Sequence, residues 1–267
     1  MFEIVDACRI CKSGELLEVL NLGFQPPANQ LRRPSEVAPD AVPLDLRLCA
    51  GCETAQITAT IDPEVLFGTY LWVTGTSAGT RAYSSAFVEW VEAIPGMREP
   101  VGDGDRRSVI EVASNDGTFL RRFSQRGWAI LGVEPAGNIA DQANADGVPT
   151  LPNFFSVNVA QSIVADQGYA DVVVARNVLP HVAEVHSVIE GLAITAGEDG
   201  VVVIEAHDAQ VILDELHYDS IYHEHLFYFS LSTLCSLCRR YGLEAFDLHR
   251  SPISGGSHVV FFSRRDR

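Results

Sequence analysis

Residues 221–231, IYHEHLFYFSL, place several titratable side chains inside an apolar stretch of the chain. Tyr222, His223, Glu224 and His225 follow one another directly, and each would be costly to bury without a hydrogen-bonding partner. These groups therefore either bond to one another or meet a polar ligand. A histidine can serve as a general base near neutral pH, so catalysis is one possibility, and the rest of the sequence has to decide.

The conformation of this segment decides which side chains act together, and the sequence leaves two arrangements open. In a helical turn Tyr222 and His225 share a face, whereas in an extended strand His223 and His225 do. A self-satisfied polar cluster and a second metal site at His223 and His225 are the alternatives to catalysis. The histidines that we expect at the surface or in packing are His186, His207, His217, His249 and His258.

The six cysteines fall into three pairs with two residues between the members of each pair: Cys8/Cys11, Cys49/Cys52 and Cys235/Cys238. The first two pairs have 37 residues between them, and two C-x-x-C turns are typical of a tetrahedral Zn²⁺ site. Four thiolates leave no open position, so the zinc would be structural; four free core thiols are the alternative. Gly14 and Gly51 are expected to give the turns their flexible backbone. The proline-rich residues 21–43 are expected to have little regular structure.

The third cysteine pair occurs in a different setting. Cys235 and Cys238 lie among leucines that recur at helical spacing, at positions 231, 234 and 237. We expect these two thiols to pack in a core, with a redox pair as the alternative.

The overall charge narrows the classes of partner. The chain of 267 residues has 35 acidic and 19 basic side chains, which gives a net charge of −16. Such a surface repels nucleic acid and anionic lipid, so we expect a small-molecule substrate and neither a nucleic-acid nor a membrane partner. The sequence has no apolar run of membrane-spanning length and no signal-peptide pattern at its start, which favours the cytoplasm.

Behind the first two cysteine pairs, apolar strands alternate with helices. The expected strands are 108–113, 128–134, 148–151, 170–176 and 200–206, and the expected helices are 118–127, 136–147 and 184–196. Continuous apolar strands in this order predict an α/β fold with a parallel sheet covered on both faces. Two further strands, 243–250 and 258–265, are joined by a glycine turn, so the last strand should run antiparallel. This arrangement resembles the Rossmann-like sheet of class I S-adenosylmethionine-dependent methyltransferases.

The ends of the first two strands carry residues suited to a nucleoside. Ala113 and Gly117 would let the backbone approach a ligand, and Glu134, 23 residues after Glu111, could accept hydrogen bonds from both ribose hydroxyls. The loop lacks G-x-G-x-x-G, which disfavours a dinucleotide and favours S-adenosylmethionine. Acidic side chains near the loop could face the positive amine and sulfonium of that cofactor. The alternative is that Glu134 caps a helix and the loop is only a turn. The candidate cofactor-binding residues are Glu111, Ala113, Asn115, Asp116, Gly117, Glu134, Pro135, Asn153, Phe154 and Asn177.

Eight segments together resemble a known family, the sugar C-methyltransferases of antibiotic deoxysugar pathways. They are CRIC, LNLGFQPPANQL, LCAGCETAQI, EVASNDGTFL, GVEPAGNIA, ARNVLPHV, IYHEHLFYFSL and GGSHVVFF. The resemblance covers almost the whole chain in order. It implies a zinc-binding domain at 1–63, a helical linker or lid at 64–105 and an S-adenosylmethionine-binding methyltransferase domain at 106–267.

The resemblance also implies a reaction: methylation of the carbon next to the ketone of a nucleotide-linked keto-deoxysugar, through an enolate. His225 would be the base, and Tyr222, Glu224 and His181 would orient it or bind the substrate. Ala113 departs from the family, whose members often have glycine there, and the family's C-terminal domain is expected to be missing. The alternatives are an O- or N-methyltransferase on another small molecule and a non-catalytic relative whose zinc module mediates assembly.

Overall fold

Thirteen strands and eight α-helices occur in the part of the chain that the computed structural model describes, residues 2–102, 104–251, 253–265 and 267. The strands are β1 Phe2–Ile4, β2 Leu16–Gln25, β3 Val42–Cys49, β4 Ala55–Ile57, β5 Ala59–Ile61, β6 Ser108–Val112, β7 Ala129–Val133, β8 Thr150–Leu151, β9 Val172–Arg176, β10 Val201–His207, β11 Phe227–Tyr228, β12 Glu244–Ser251 and β13 Ser257–Ser263. The helices are α1 Pro63–Phe67, α2 Ala78–Glu92, α3 Thr118–Gln125, α4 Gly137–Ala145, α5 Val157–Gln167, α6 Val185–Ala196, α7 Ala209–Asp214 and α8 Leu231–Arg239.

Seven strands form the central sheet in the order β12-β13-β10-β9-β6-β7-β8. Neighbouring strands from β10 to β8 run parallel, while β13 runs antiparallel to both β10 and β12. The predicted parallel sheet with an antiparallel last strand is therefore confirmed. Its inner strands are buried on both faces, as their unbroken runs of valine and isoleucine predict.

Helices cover both faces of this sheet. Along β9, Val173 and Ala175 pack on the side of α5 and α6, whereas Val172 and Val174 pack on the side of α2 and α3. Helix α2 lies within the predicted linker, yet it belongs to this core, because its Phe87 ring lies 5.4 Å from the ring centroid of Phe119 in α3. The domain boundaries drawn from the sequence stay predictions.

The N-terminal module has a four-stranded sheet in the order β11-β4-β3-β2, beside the pair β1–β5. Strands β2 and β3 extend into the segment that was expected to be irregular, so that prediction was wrong at both ends and holds for residues 26–41. Strand β2 is exposed along nearly its whole length. Residues 20–25 of β2 nevertheless alternate apolar and polar side chains, which is the pattern typical of a strand.

Each C-x-x-C turn closes on the residue directly after its second cysteine. Lys12 and Glu53 have left-handed backbones, with φ of 63° and 59°, and their N–H groups donate to the carbonyls of Cys8 and Cys49 at 2.9 Å. The glycines at positions 14 and 51 do not have left-handed backbones, and the expectation that they give the turns flexibility stays a prediction. The hydrogen bond that closes each turn sets the backbone of the residue that donates it, Lys12 or Glu53, whatever side chain that residue has.

Strand β11 joins the two parts of the molecule. It belongs to the segment that follows β10, yet it pairs with β4 of the N-terminal module, Phe227 opposite Gln56 and Tyr228 opposite Ala55. The carbonyl of Leu226 also accepts a hydrogen bond from the N–H of Ile57 at 3.1 Å. Residues 222–228 are thus held between the central sheet and the N-terminal sheet.

Candidate active site

A cavity of about 1180 Å³ lies at the carboxyl ends of β6, β7, β9 and β10. Ligands of open α/β sheets bind at this edge. A pocket for a single drug-sized ligand usually measures about 300–1,000 Å³, so the volume suits two ligands side by side. Its wall includes Glu134 after β7, Asn177 after β9, His207 at the end of β10 and the residues 222–226.

The loop after β6 approaches this cavity with an unusual backbone. Ala113 and Asn115 have φ of 53° and 51°, and Gly117 has 73°. The left-handed region costs a residue with a side chain roughly 1–2 kcal/mol, and such outliers cluster at functional sites. Asn177, after β9, has φ of 51° and also lines the cavity. Two neighbouring strands thus end in strained residues at the same wall.

Glu134 presents a carboxylate that retains hydrogen-bonding capacity. It is 5% exposed, and its two oxygens accept the N–H groups of Asn115 at 2.8 Å and Ala136 at 2.9 Å. A carboxylate has about four acceptor sites, so two hydroxyl groups could still bind. Burial raises the pKa of Glu134, and the two N–H bonds oppose that rise. This arrangement fits the two hydroxyls of a ribose.

The candidate cofactor-binding residues divide into two groups. Those that line the cavity are Ala113, Asn115, Glu134, Pro135, Phe154 and Asn177. Those that the described cavity wall does not include are Glu111, Asp116, Gly117 and Asn153. Asp116 lies beneath the loop, where its carboxylate accepts the N–H groups of Thr118 and Gly75, both at 3.1 Å. It holds the loop against the segment before α2.

Glu111 belongs to a buried ion network that the sequence did not indicate. Arg176 donates to Glu111 at 3.0 Å and to Glu205 at 3.3 Å, and its guanidinium lies 3.2 Å from the ring centroid of Phe119. Burial raises the pKa of Glu111 to about 7, against the opposing effect of Arg176. The network ties β6, β9 and β10 together below the cavity. Arg176 ends β9 and Glu205 lies two residues before the end of β10, and because both strands otherwise look like plain core strands, the two residues were missed.

Residues 222–225 form a tight turn, which decides between the two arrangements left open by the sequence. The N–H of His225 donates to the carbonyl of Tyr222 at 3.1 Å. The Tyr222 hydroxyl then lies 3.3 Å from Nε2 of His225. Tyr222 and His225 therefore act on the same side, as the helical-turn alternative required.

The hydrogen bonds of His225 define its protonation. Its Nδ1 lies 2.8 Å from the carbonyl of Ser220, which can only accept, so Nδ1 carries the proton. Nε2 then has a lone pair, which accepts the Tyr222 hydroxyl. Burial lowers the pKa of His225 to about 4 and raises the pKa of Tyr222. At neutral pH the pair consists of a neutral imidazole and a protonated phenol.

His181 and Glu224 stand beside this pair. Nδ1 of His181 donates to the carbonyl of Glu224 at 2.9 Å, and the His181 ring lies 4.9 Å from that of His225. Burial lowers the pKa of His181 to about 3. The Glu224 side chain is 2% exposed, and its Oε2 has no hydrogen-bond partner among the described residues.

His223 has a structural contact instead. Its Nε2 bonds to the carbonyl of Val42 in β3 at 3.1 Å, and the residue is 1% exposed. Among the described residues, no third ligand completes a metal-binding group with His223 and His225. The second-metal alternative therefore has no support within the described ranges.

Asn29 contributes to the site from the N-terminal module. Its Nδ2 donates to Oε1 of Glu224 at 2.7 Å, and it lines the cavity together with Gln30 and Leu31. Sequence reasoning read this stretch as irregular and gave it no role. The available signal was the motif LNLGFQPPANQL, which contains Asn29 and was part of the family resemblance.

The four N-terminal cysteines meet at one point. Their sulfur atoms all lie within 4.8 Å of one another, with Cys8 and Cys52 at 3.6 Å and Cys11 and Cys49 at 3.3 Å. Tetrahedral zinc with bonds of about 2.3 Å would set the sulfurs about 3.8 Å apart. The cluster fits a structural Zn²⁺. The third cysteine pair is buried in α8, within the hydrophobic core.

The histidines expected in packing mostly have such roles. His186 bonds to the Ile10 carbonyl at 2.8 Å, His249 stacks on Trp90 at 4.5 Å, and His258 pairs with Asp208 at 2.9 Å. His207 differs, because among these histidines it is the one that the described cavity wall includes.

Comparison with protein families identifies the chain. The methyltransferase domain family matches residues 85–248, more than half of the sequence. The chain belongs to this family. Residues 8–67 match a second family, described as "Putative zinc binding domain", and these residues include all four clustered cysteines. Within the described residues, no helix combines the length and the apolar character that crossing a membrane requires.

One curated relative resembles nearly all of the chain. The C-methyltransferase NovU of Streptomyces niveus is 34% identical over 259 residues, which is 96% of this chain and 60% of that protein. The chain therefore spans about three fifths of the length of this relative.

Solved structures share the fold. A magnesium protoporphyrin IX methyltransferase from Synechocystis PCC 6803, solved with bound S-adenosylmethionine, has a TM-score of 0.52 and 14% identity, covering 70% of this chain and 80% of that one. A protein from Pyrococcus horikoshii has a TM-score of 0.53 and 11% identity, covering 77% and 97%. At such identity the likeness establishes the class I methyltransferase fold alone.

Proposed function

We propose that the protein is a S-adenosylmethionine-dependent C-methyltransferase that methylates the carbon next to the ketone of a nucleotide-linked keto-deoxysugar. The observation that carries the proposal is the pair Tyr222–His225, in which a neutral imidazole with a lone pair on Nε2 lies beside a phenol at the cavity wall. A methyl acceptor at oxygen or nitrogen already has a lone pair. A carbon acceptor must first lose a proton to a base, which is what this pair can provide.

The residues at the carboxyl ends of β6 and β7 would hold the cofactor. Glu134 has the acceptor sites for a ribose, and the left-handed backbone of Ala113 and Asn115 brings the loop close to the cavity. S-adenosylmethionine, when bound, supplies an electrophilic methyl group and keeps the electron pair of the broken S–C bond as a thioether. The cavity wall from residues 181 and 222–225 is left for the acceptor.

His225 would take the proton from the acceptor carbon onto Nε2. The electron pair of the C–H bond then forms the enolate, with its negative charge on the former ketone oxygen, and afterwards the new C–C bond. Nδ1 keeps its own proton because it donates to the Ser220 carbonyl. The imidazolium would therefore release to solvent the proton that Nε2 took from the substrate. Tyr222 remains protonated because burial raises its pKa. When the acceptor binds, the Tyr222 hydroxyl would turn from Nε2 to the ketone oxygen, which frees the lone pair of His225 and lets the phenol donate to the enolate oxygen.

The identity of the acceptor is supported by the family resemblance and by the 34% identical C-methyltransferase. The volume of the cavity suits a cofactor and a second ligand together. The proposal includes the cytoplasm as its compartment, where cysteines remain reduced and free to bind zinc.

The test is exchange of the proton next to the ketone. The protein is incubated with S-adenosylhomocysteine and a thymidine-diphosphate 4-keto-deoxysugar in deuterated water, and mass spectrometry follows deuterium uptake. The proposal expects uptake by the wild type, its loss in His225→Ala, and a decrease in Tyr222→Phe. His249→Gln, which changes a histidine stacked on Trp90 away from the cavity, should exchange like the wild type.

Two outcomes would contradict the proposal. Uptake that persists in His225→Ala would remove the histidine from the chemistry. No uptake by a wild type that binds S-adenosylhomocysteine, together with methylation of a hydroxyl or amine compound, would favour an O- or N-methyltransferase.

A further inference from the structure

His207 is a cavity residue that the proposed chemistry does not use. It is the last residue of β10, it lines the cavity, and it is 9% exposed. In the order of the sheet, β10 lies beyond β9, on the side away from β6 and β7. His207 therefore belongs to the half of the cavity that faces the acceptor, and Glu134 to the half that faces the cofactor.

The imidazole of His207 has a ring nitrogen without a partner. Its Nε2 is buried and has no hydrogen-bond partner among the described residues. Buried polar atoms of native proteins nearly always have one, so a ligand or an ordered water is needed here. Glu224 belongs to the same cavity wall, and its buried Oε2 is also unpartnered among the described residues. Two residues of the cavity wall thus each have a buried polar atom that calls for a partner.

The charges around His207 narrow the chemistry of that ligand. Burial lowers the pKa of His207, with a smaller contribution from His217, whose ring lies 5.8 Å away. Asp208 and Asp219 oppose this shift, so carboxylates lie near the ring. A neutral imidazole among carboxylates is a poor site for a phosphate or a carboxylate. It is a good site for a hydroxyl group, which can both donate and accept.

We infer that His207 binds a hydroxyl group of the methyl acceptor through Nε2 and so selects hydroxylated acceptors. The inference rests on the proposed function and adds a specificity-determining residue to it. His207 would position the acceptor by this bond, while His225 removes the proton. Oε2 of Glu224 would accept a second hydroxyl or an amide donor of the same ligand.

Two substitutions of His207 distinguish the role of Nε2 from that of Nδ1. The terminal amide of glutamine reaches the position of Nε2, whereas the amide of asparagine reaches only that of Nδ1. His207→Asn should therefore raise the acceptor KM about 10–100-fold, the effect of an unmade buried hydrogen bond, and His207→Gln should restore most of the loss. The kcat and the affinity for S-adenosylhomocysteine should change by less than about threefold in both.

The acceptor provides a second, independent change. Thymidine-diphosphate keto-deoxysugars are compared with analogues in which one hydroxyl is replaced by hydrogen. Removal of the hydroxyl that His207 binds should raise the KM of the wild type by a similar factor and should not raise that of His207→Asn further, as in a double-mutant cycle. His258→Gln is the matched control, since His258 is also buried with an unpartnered ring nitrogen among the described residues but lies outside the described cavity wall.

The outcomes are distinct. A folded His207→Asn with unchanged acceptor KM would overturn the inference and leave a bound water as the partner of Nε2. Equal losses in His207→Asn, His207→Gln and His258→Gln would show a general disturbance of the fold and would overturn it as well. If His207→Asn does not fold, the hydroxyl-deleted acceptors on the wild type and His207→Gln decide. A wild type that binds S-adenosylhomocysteine but methylates no keto-deoxysugar would refute the proposed function first and this inference with it.

Discussion

The phenol oxygen of Tyr222 lies 3.3 Å from Nε2 of His225, while Nδ1 of the same ring is bonded to the Ser220 carbonyl at 2.8 Å. The main chain thereby fixes the tautomer of the histidine, and the lone pair always points to the side of the phenol. Burial works in the same direction, because it lowers the pKa of His225 and disfavours the charged ring. The site is built to keep a neutral base ready in the absence of substrate.

The pH dependence of kcat/KM follows from this state of His225. A base is active when deprotonated, so activity is lost as the pH falls through its pKa in the free enzyme. For His225 that value is about 4, below the ordinary 6.5 of histidine. We expect kcat/KM to stay level from pH 8 down to about pH 5 and then to fall, as measured by methyl transfer at limiting acceptor. An acidic limb centred near 6.5 would mean that the free enzyme holds His225 in water-like surroundings.

The pairing of Tyr222 with His225 also shows where sequence reasoning stopped. The inner strands β6, β7, β9 and β10 were predicted within two residues at every end, because burial on both faces leaves continuous runs of apolar residues. Four titratable residues in a row carry no such signal, since their backbone is set by the turn hydrogen bond and by β11. Tertiary contacts across the chain decide that geometry.

Asn29 gives the clearest example of a contact that no local pattern encodes. It lies 195 residues before Glu224 and bonds to Oε1 at 2.7 Å. By contrast, residues 20–25 of β2 do alternate apolar and polar side chains, but the prolines that follow favoured an irregular segment. The metal site was predictable for the opposite reason, since paired cysteines at short spacing carry their chemistry in the sequence.

Asn29→Ala should lower the activity on the acceptor without weakening cofactor binding. The change leaves the buried carboxylate of Glu224 without its amide donor, and its pKa, already raised by burial and held down by that bond, should rise further. We expect kcat/KM for the acceptor to fall about 10-fold, within the range for a bond to a buried charged group. Titration calorimetry should give an unchanged affinity for S-adenosylhomocysteine.

A second substitution at the same position tests whether the charge of Glu224 causes the loss of activity. Asn29→Asp keeps the shape but sets a second carboxylate against Glu224, so its loss of activity should exceed that of Asn29→Ala and should increase with pH. Equal activity in the two variants would show that the amide donor does not act on Glu224.

Ala113→Gly tests the strain in the loop after β6. Alanine at φ of 53° is unfavourable, and glycine at this position relieves roughly 1–2 kcal/mol while losing about 0.5–1 kcal/mol to its more flexible unfolded state. Urea unfolding should therefore give a free energy of unfolding equal to that of the wild type or up to about 1.5 kcal/mol higher. Ala113→Val, whose branched side chain tolerates the left-handed region poorly, should be clearly less stable. A stabilised valine variant would contradict the left-handed backbone at this position.

The zinc cluster should stabilise the acceptor half of the cavity, whereas the cofactor half should keep its structure without zinc. Cys49 ends β3, and Cys52 lies in the turn that leads to β4. Strand β4 pairs with β11 directly after the turn of Tyr222 and His225. The strands that carry Ala113 and Glu134 make no such pairing with the N-terminal sheet within the described residues. Loss of a structural metal unfolds its local module, and here the disturbance would pass along β4 into the turn.

Cys11→Ser tests whether zinc supports the acceptor half of the cavity without supporting the cofactor half. We expect it to lose zinc, measured by metal analysis, and to lower kcat/KM for the acceptor about 10–100-fold, a loss of the size seen when metal-site support is removed. Affinity for S-adenosylhomocysteine should stay within about threefold, because the ends of β6 and β7 keep their structure. Cys235→Ser, a buried cysteine of α8 outside the cluster, should retain zinc and acceptor turnover. If cofactor affinity falls in step with turnover in the zinc-free variant, the metal supports the whole molecule. If turnover survives without zinc, β11 is held by the central domain alone.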